Sequence, residues 1–273
     1  MNAPATRAGA LILVLFAALG AAAPLLAPYS PHQQDLPHRL DPPSLRHPLG
    51  CDDLGRDVLS RLLHGARVSL GAGLLVTLIA GTAGILIGAL AGYSGGRADL
   101  LLVGLMDLLL GFPGVLLAIA IVAVVGPRLR NLVVALCLIG WVGYARLARS
   151  LAIRLRETDF VQAAGAAGAS LPRLIARHVL PGLLGPVMVQ AALGLGGVIV
   201  AEAGLSFLGL GVPPPTASWG SMLRSGSQNL LDAPHLTVFP ALAIFGAILG
   251  ANLLADGLGK RLDPRREAAG TAF

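Results

Sequence analysis

Between Arg67 and Arg97 the chain contains 29 consecutive residues without a charged side chain. A helix needs about 20 apolar residues to cross the hydrocarbon core of a bilayer, so this run can span it with some tilt. Over the 273 residues, 55% are hydrophobic and only 12% are charged, whereas soluble domains carry about 25% charged residues. The sequence therefore predicts an all-α integral membrane protein.

Six apolar segments are long enough to be membrane spans. The first runs from Ala8 to about Ala27, and a cleaved signal peptide is the alternative interpretation. Because the apolar part of a signal peptide is only about 7–15 residues long, we expect this span to be retained. Pro113, which follows Gly111, predicts a kink in the third span. The remaining spans are predicted at about 68–96, 100–125, 132–151, 182–200 and 236–255.

Glycines recur every four residues in the second span, at Gly84, Gly88 and Gly92. Lipid tails are as apolar as the helices, so helices associate in membranes largely through close packing of small residues. The pattern predicts close contact with a neighbouring helix but does not say which one, and a lipid-facing surface is the alternative. Gly246 and Gly250 form a similar pair in the sixth span.

Residues 159–181, DFVQAAGAAGASLPRLIARHVLP, interrupt the apolar pattern between the fourth and fifth spans. We expect two short helices here, the first with Asp159 as its N-cap. Gly168 is expected to end it in a left-handed conformation, and Ser170 to cap the second with Pro172 in its first turn.

One face of the first of these helices is built almost entirely from small residues. Such a face lets a partner approach the backbone closely but offers too little apolar area for insertion into a lipid surface. The pattern therefore predicts docking into a protein groove. The face contains Phe160, Ala163, Ala164 and Ala167, and the second helix carries Arg173, Arg177 and His178.

Ionisable residues inside a membrane span are candidates for function. Asp107 lies in the third span, about two turns from the polar turn at 97–99, so we expect it to contact headgroups, an arginine or a backbone group. Glu202 follows the fifth span and opens the segment EAGLSFLGLGVPPPTASWG, which has the composition of a re-entrant loop. A cysteine placed at Ser218 in this segment is expected to react with reagent outside the cell.

A polar segment, HPLGCDDLGRDVLSRLLHGAR, spans His47 to Arg67. Its His47, Asp52, Asp53 and Asp57 could form a metal site, but hydrogen bonding and capping ahead of a helix that includes residues 58–63 fit the residue types better. Cys51 and Cys137 are far apart and form no metal or redox motif, and we expect no disulfide between them.

The 159–181 segment resembles the "EAA" loop of binding-protein-dependent ABC import permeases. Gln162 stands where that family has Glu, and Gly182 where it often has Asn. The His47 segment, the Glu202 segment and the tail DGLGKRLDPRR resemble the dipeptide, oligopeptide and nickel permease subfamily, with Cys51 replacing its usual Thr. Matching or nearly matching loop residues are Gln162, Ala163, Ala164, Gly168, Ala169, Ser170, Arg177, His178, Leu180 and Pro181.

The resemblance implies a type I ABC importer permease in the bacterial inner membrane, which moves peptides or a solute such as nickel inward by alternating access. It also implies a cytoplasmic coupling helix that docks on an ATPase. The implied partners are a second homologous permease, two ATPase subunits, an extracytoplasmic solute-binding protein and membrane lipid. No cofactor is expected on this chain, and ATP and Mg²⁺ would be bound by the partner subunits.

Other functional classes have less support in the sequence. Lys260 follows Gly259, but Leu254 occupies the first glycine position of the phosphate-binding motif G-x-x-x-x-G-K, and no hydrolase motif is present, so we expect no enzyme. The basic residues form no stripe with interleaved aromatics, which argues against nucleic acid. An ion-coupled transporter using Asp107 and Glu202 is the alternative function, and a membrane scaffold is a third.

Six spans with a cytoplasmic N-terminus place the 159–181 loop inside. This orientation puts twelve Lys and Arg residues inside and eight outside, a modest bias in the expected direction. The predicted organisation is an N-terminal tail and first helix at 1–30, an extracytoplasmic loop at 31–66, the transmembrane permease domain at 67–256 and a cytoplasmic tail at 257–273.

Overall fold

The computed structural model describes residues 3–261, and this part of the chain contains helices and no strand. A 3₁₀ turn lies at Leu36–His38 and a π-helical turn at Ile175–Val179. The α-helices are α1 (Ala3–Ala21), α2 (Ala23–Leu26), α3 (Val58–Ser94), α4 (Gly96–Leu110), α5 (Gly114–Val125), α6 (Leu129–Arg156), α7 (Asp159–Ala166), α8 (Leu171–Leu174), α9 (Leu180–Phe207), α10 (Trp219–Gln228) and α11 (His235–Arg261).

Five helical segments are long and apolar enough to cross a membrane, and α4 with α5 makes a sixth if the bent pair counts as one span. The predicted all-α membrane fold with about six spans is thus confirmed. The π turn joins α8 to α9, so the fifth span is one helical segment over Leu171–Phe207. Residues 262–273, including Arg265 and Arg266 of the predicted tail, lie outside the described residues.

α3 is longer than predicted because the expected helix at 58–63 and the second span are one helix of 37 residues. At a rise of 1.5 Å per residue it is about 55 Å long, well beyond the roughly 30 Å of a bilayer core. Arg61 and Arg67 limit the apolar run but do not break the helix, which ends only at Ser94 before Gly95. Its first turns therefore extend beyond the membrane.

The third span bends by 82° between α4 and α5. The predicted kink at Pro113 is confirmed, but it is a complete break, since Gly111 to Pro113 lie outside both helices. Proline supplies no N–H for the helical ladder and disfavours helical backbone in the residue before it.

The glycines of α3 pack against α6, which runs parallel to it. A Cβ on Gly88 would overlap the Ala145 carbonyl oxygen, and one on Gly92 would come within 2.6 Å of the Arg149 carbonyl oxygen. A Cβ on Gly84 would lie 2.4 Å from the Trp141 carbonyl oxygen. The prediction of close helix contact is confirmed, and the neighbour is α6.

The first span packs against the last. Gly250 of α11 lies under Ile12 of α1, and Gly246 lies under the ring of Phe16. The Phe16 ring also meets Trp219 edge-on, with ring centroids 5.6 Å apart. α1 is thus a packed part of the helical bundle.

The 202–220 segment differs from the predicted re-entrant loop. α9 continues through Glu202 to Phe207, and only residues 208–218 are non-helical before α10 begins. Ser218 is fully buried and caps α10, accepting a hydrogen bond from Ser221 N–H. The expectation that position 218 would react from outside is therefore wrong.

The α3–α6 contact predicts a sharp difference between two glycines of the same helix. Gly88→Ala should destabilise the protein by about 1–3 kcal/mol because its methyl group must push the two backbones apart. Gly71→Ala is the matched control, since no atom lies within 4 Å of its Cβ position. Thermal unfolding of the purified protein in detergent would measure both, and equal melting temperatures would contradict the proposed close packing.

Candidate functional site

α7 begins directly after α6, with only Glu157 and Thr158 between them. The N-cap of α7 is Thr158 rather than the predicted Asp159, which is the first helical residue. The Thr158 hydroxyl does not cap α7 but donates a 2.6 Å hydrogen bond to the Leu155 carbonyl of α6. The extended backbone of Thr158 sets the start of α7, and its side chain ties this start to α6.

The end of α7 agrees with the prediction. Gly168 has a φ of +84°, and its N–H donates to the Gly165 carbonyl at 2.9 Å. The Ala169 N–H donates to the Ala164 carbonyl at 3.1 Å, which completes a Schellman motif. No atom lies within 4 Å of a Cβ built on Gly168, so the need for glycine comes from its backbone conformation.

Most of the predicted small-residue face of α7 is open to solvent in the described chain. Val161 is the one fully buried side chain of this helix among the described residues, and it lies on another face. Phe160, Ala163 and Ala167 are exposed, and Ala164 is half-buried. An apolar face left open next to a polar loop is what a docking helix needs.

The basic part of the loop is also directed to solvent. Arg173 and Arg177 are exposed, and neither forms an ion pair with another residue in 3–261. The half-buried His178 ring stacks on Phe160 with centroids 6.5 Å apart, and its Nδ1 has no hydrogen-bond partner among these residues. The Phe160 and His178 rings therefore connect the two halves of the loop.

The sequence predicted a separate short helix for the second half of the loop. This prediction is wrong. Ser170 is the N-cap of α8, with Pro172 in the first turn as expected, although no side-chain capping bond forms. From there the helix continues through the π turn into α9. The wider turn accommodates Pro181, which has no N–H for the ladder.

The other predicted loop residues are placed as follows. Gln162 Nε2 donates to the Glu157 carbonyl at 3.3 Å, which secures the first turn of α7. Ala169 follows Gly168 in the turn, and Pro181 is exposed in the first turn of α9. All ten predicted positions thus lie in one continuous turn and its two flanking helices.

Asp107 and a second acid, Asp99, attach α4 to α6. Asp107 accepts a hydrogen bond from Arg146, in agreement with the expected arginine contact. The two Asp99 oxygens accept from Arg149 Nε and Nη2 at 2.5 and 2.7 Å. Both arginines are therefore paired instead of reaching freely for headgroups.

Glu202 is fully buried in α9, within a cluster of hydroxyl groups. Its Oε1 accepts a 2.7 Å hydrogen bond from the Ser206 hydroxyl, and the Ser69 and Ser218 hydroxyls face the same carboxyl group. Its Oε2 has no hydrogen-bond partner among the described residues. The cluster joins α3, α9 and the start of α10.

Comparison with known proteins fits this geometry. Residues 84–268 match the model of a family described as the binding-protein-dependent transport system inner membrane component. Residues 4–43 match the N-terminal transmembrane domain of oligopeptide transport permease C. The chain belongs to this permease family. It is therefore a multi-pass component of a binding-protein-dependent ABC importer in the inner membrane.

Individual relatives extend over almost the whole chain. A dipeptide transport system permease of Alkalihalophilus pseudofirmus is 41% identical over 95% of this chain and 86% of its own length. A di/tripeptide permease of Pseudomonas aeruginosa is 44% identical, covering 95% and 87%. A glutathione transport permease of Pectobacterium atrosepticum is 40% identical, covering 96% and 87%.

Sequence reasoning missed two contacts of the permease. The Asp99–Arg149 pair could have been found, because both charges lie near the ends of apolar runs that enter the membrane from the same side. The role of Thr158 could not have been found from the sequence. Thr158 and Asp159 are both good capping residues, and which of them precedes α7 depends on the position of α6.

The segment before α3 uses its polar residues in capping and ion pairing. Asp57 caps α3 by accepting from the Ser60 N–H at 2.7 Å, and His47 Nδ1 lies 2.9 Å from the other Asp57 oxygen. Asp52 accepts from Arg56 Nε at 2.7 Å and lies 3.3 Å from Arg61 Nε. The predicted capping role of Asp57 is confirmed.

Cys51 lies at the centre of this segment and is completely buried. Burial raises the pKa of its thiol to about 11, and nearby carboxylates, led by that of Asp57, add to the shift. Only the thiolate reacts quickly with maleimides. Burial thus keeps the group both inaccessible and protonated at neutral pH.

We therefore expect Cys51 to resist an impermeant maleimide at pH 8 and to react faster as the pH approaches 11. An added cysteine at the exposed Thr216 should react readily at pH 8. Mass spectrometry of the labelled chain would measure both rates. Equal rates at the two positions would show that the segment opens in solution.

Proposed function

We propose that this permease conducts peptides inward and is driven by ATPase subunits that dock on α7. It would assemble with a second homologous permease, two ATPase subunits and an extracytoplasmic solute-binding protein. The names of the relatives, which refer to dipeptides, di/tripeptides and glutathione, support a peptide cargo. ATP and Mg²⁺ would be bound by the ATPases, since this sequence has no phosphate-binding glycine motif.

The single observation that supports the docking site best is the open face of α7. Phe160, Ala163 and Ala167 are exposed although they are apolar, and small side chains allow a groove to approach the backbone. Arg173 and Arg177 beside this face supply positive charge that an acidic rim on the ATPase could meet.

The connections of α7 suggest how movement would reach the membrane. On one side α7 follows α6 after two residues, and on the other it reaches the α8–α9 helix after the turn at 167–170. An apolar groove of about 270 Å³ lies between α3, α5, α6 and α9. A shift of α7 would therefore act directly on two of the four helices that line this groove, as alternating access requires.

The two acids considered for the ion-coupled alternative make other contacts among the described residues. Asp107 is paired with Arg146, and Glu202 is enclosed by serine hydroxyls. Neither acid lines the 270 Å³ groove. Nothing in the geometry favours this second function.

Gly168→Val should weaken ATPase docking while the spans remain inserted. A β-branched residue adopts positive φ only with strain, of order 1 kcal/mol or more, so the turn after α7 should change direction. Gly168→Asn is the matched control, because asparagine tolerates this conformation better. Co-purification of the ATPases and ATP-dependent uptake in proteoliposomes would be measured.

Ala164→Glu should have the same effect by placing a charge on the proposed contact face. Ala166→Glu is its control, since Ala166 is exposed and lies about 200° around the helix from Ala164. Full uptake with the ATPases bound to both Gly168→Val and Ala164→Glu would refute the coupling role of this loop.

The proposed orientation is tested by single cysteines. Cysteines at Ala166 and Lys260, both exposed, should be shielded from an impermeant thiol reagent added outside intact cells. A cysteine at Thr216 should react with the reagent. Thr216 is used as the outer position because Ser218 is buried. Labelling of position 166 from outside would reverse the proposed topology.

A further inference from the structure

A cavity of about 430 Å³ lies at the end of the bundle opposite α7, where α9 ends and α10 begins. Three of its lining residues are arginines, Arg56, Arg61 and Arg224, and none is acidic. Ser206 and Pro127 contribute other parts of the wall. One polar face of α10 forms the rest, with Ser221, Arg224, Ser225 and Gln228 at helical spacing.

Two of the arginines already have acidic partners. Arg56 and Arg61 are buried and share Asp52, and Arg56 also lies 3.3 Å from Asp53. Arg224 is exposed and forms no ion pair with any residue in 3–261. The cavity therefore carries one uncompensated positive charge.

The backbone makes room for this charge. Gly209 has a φ of +84°, and a Cβ at this position would overlap the Arg224 guanidinium. The guanidinium thus lies directly over the Gly209 backbone and lines the cavity. Its N–H donors have no hydrogen-bond partner among the described residues, so this planar fork is available for a planar anion.

We propose that this cavity binds the carboxylate of the solute being transported, with Arg224 as the charged contact. The inference rests on the proposed peptide function, because peptides carry a C-terminal carboxylate. An arginine can bind a carboxylate through two parallel charge-assisted hydrogen bonds. Ser221 and Ser225 supply further polar groups along the same helix face.

The course of α9 favours a solute over an acidic side chain of a partner protein. Ser206 lines the arginine cavity, and the preceding residue, Leu205, lines the apolar 270 Å³ groove that continues along α9 through Ala201 and Val198. The two cavities share no lining residue, but both lie along α9. A small amphipathic solute with an anionic end and an apolar side chain would meet them in turn on its way inward. An acidic side chain of a partner protein would need only the arginine cavity and would leave the apolar groove unexplained.

Protection of an introduced cysteine tests the site directly. Gln228→Cys places a thiol on the exposed rim of the cavity, in a chain whose Cys51 and Cys137 are replaced by alanine. The complete transporter in proteoliposomes would be labelled with an impermeant maleimide, with and without the dipeptide Ala-Phe or its C-terminal amide. We expect the free acid to slow labelling at millimolar concentration and the amide to do so about tenfold less effectively, because it cannot form the charged pair.

Variants of Arg224 distinguish an effect of its positive charge from an effect on the structure of the cavity. Arg224→Gln should abolish the difference between acid and amide, and Arg224→Lys should restore part of it. Arg130→Gln is the matched control, since Arg130 is also exposed and unpaired within 3–261 but does not line the cavity. It should leave protection unchanged.

Three results would overturn the inference: no protection by Ala-Phe, equal protection by acid and amide, or protection that persists in Arg224→Gln. Lost uptake in Arg224→Gln with unchanged protection would instead assign Arg224 to an acidic partner protein. ATP-dependent uptake of Ala-Phe, measured in the same vesicles, tests the proposed function separately. Uptake without protection would refute the carboxylate site and leave the proposed function standing. Protection without uptake would show a carboxylate site that does not serve a transported peptide, and would count against the proposed function.

Discussion

The fold depends on direct backbone contact between α3 and α6. Lipid supplies no hydrophobic force to bring helices together, so the approach must come from packing itself. Gly84, Gly88 and Gly92 permit it by placing the surface of α3 against carbonyl groups of α6. α4 and α5 return the chain between the ends of this parallel pair, and α9 contacts both of its helices. α1 and α11 pack on each other, and α11 joins the pair mainly through α9.

This contact also anchors α6, the helix that leads into the proposed coupling loop at 159–181. α6 runs without interruption from its contact with α3 to Arg156, and α7 starts after two further residues. The Thr158 hydroxyl and the Schellman turn fix the two ends of α7 through local hydrogen bonds. The open face of α7 is thus presented by local structure and needs no partner to form it.

Features governed by neighbouring residues were predictable from the sequence. Gly168 indicated the end of α7, Pro113 a kink in the third span and the glycine spacing the close helix contact. Features that depend on distant residues were not. Three such features are the partner of the glycine face, the choice of Thr158 over Asp159 and the burial of Ser218 within the Glu202 cluster. All three depend on the positions of other helices.

The continuity of α8 and α9 has a mechanical meaning. The segment from Leu171 to Phe207 is 37 residues long, about 55 Å, and it passes from the coupling loop to the arginine cavity. If the segment tilted as one body by about 10° around its midpoint, each end would move by about 5 Å, in opposite directions. One rotation could therefore widen the passage at one membrane face while narrowing it at the other, with no separate signal passed between the two.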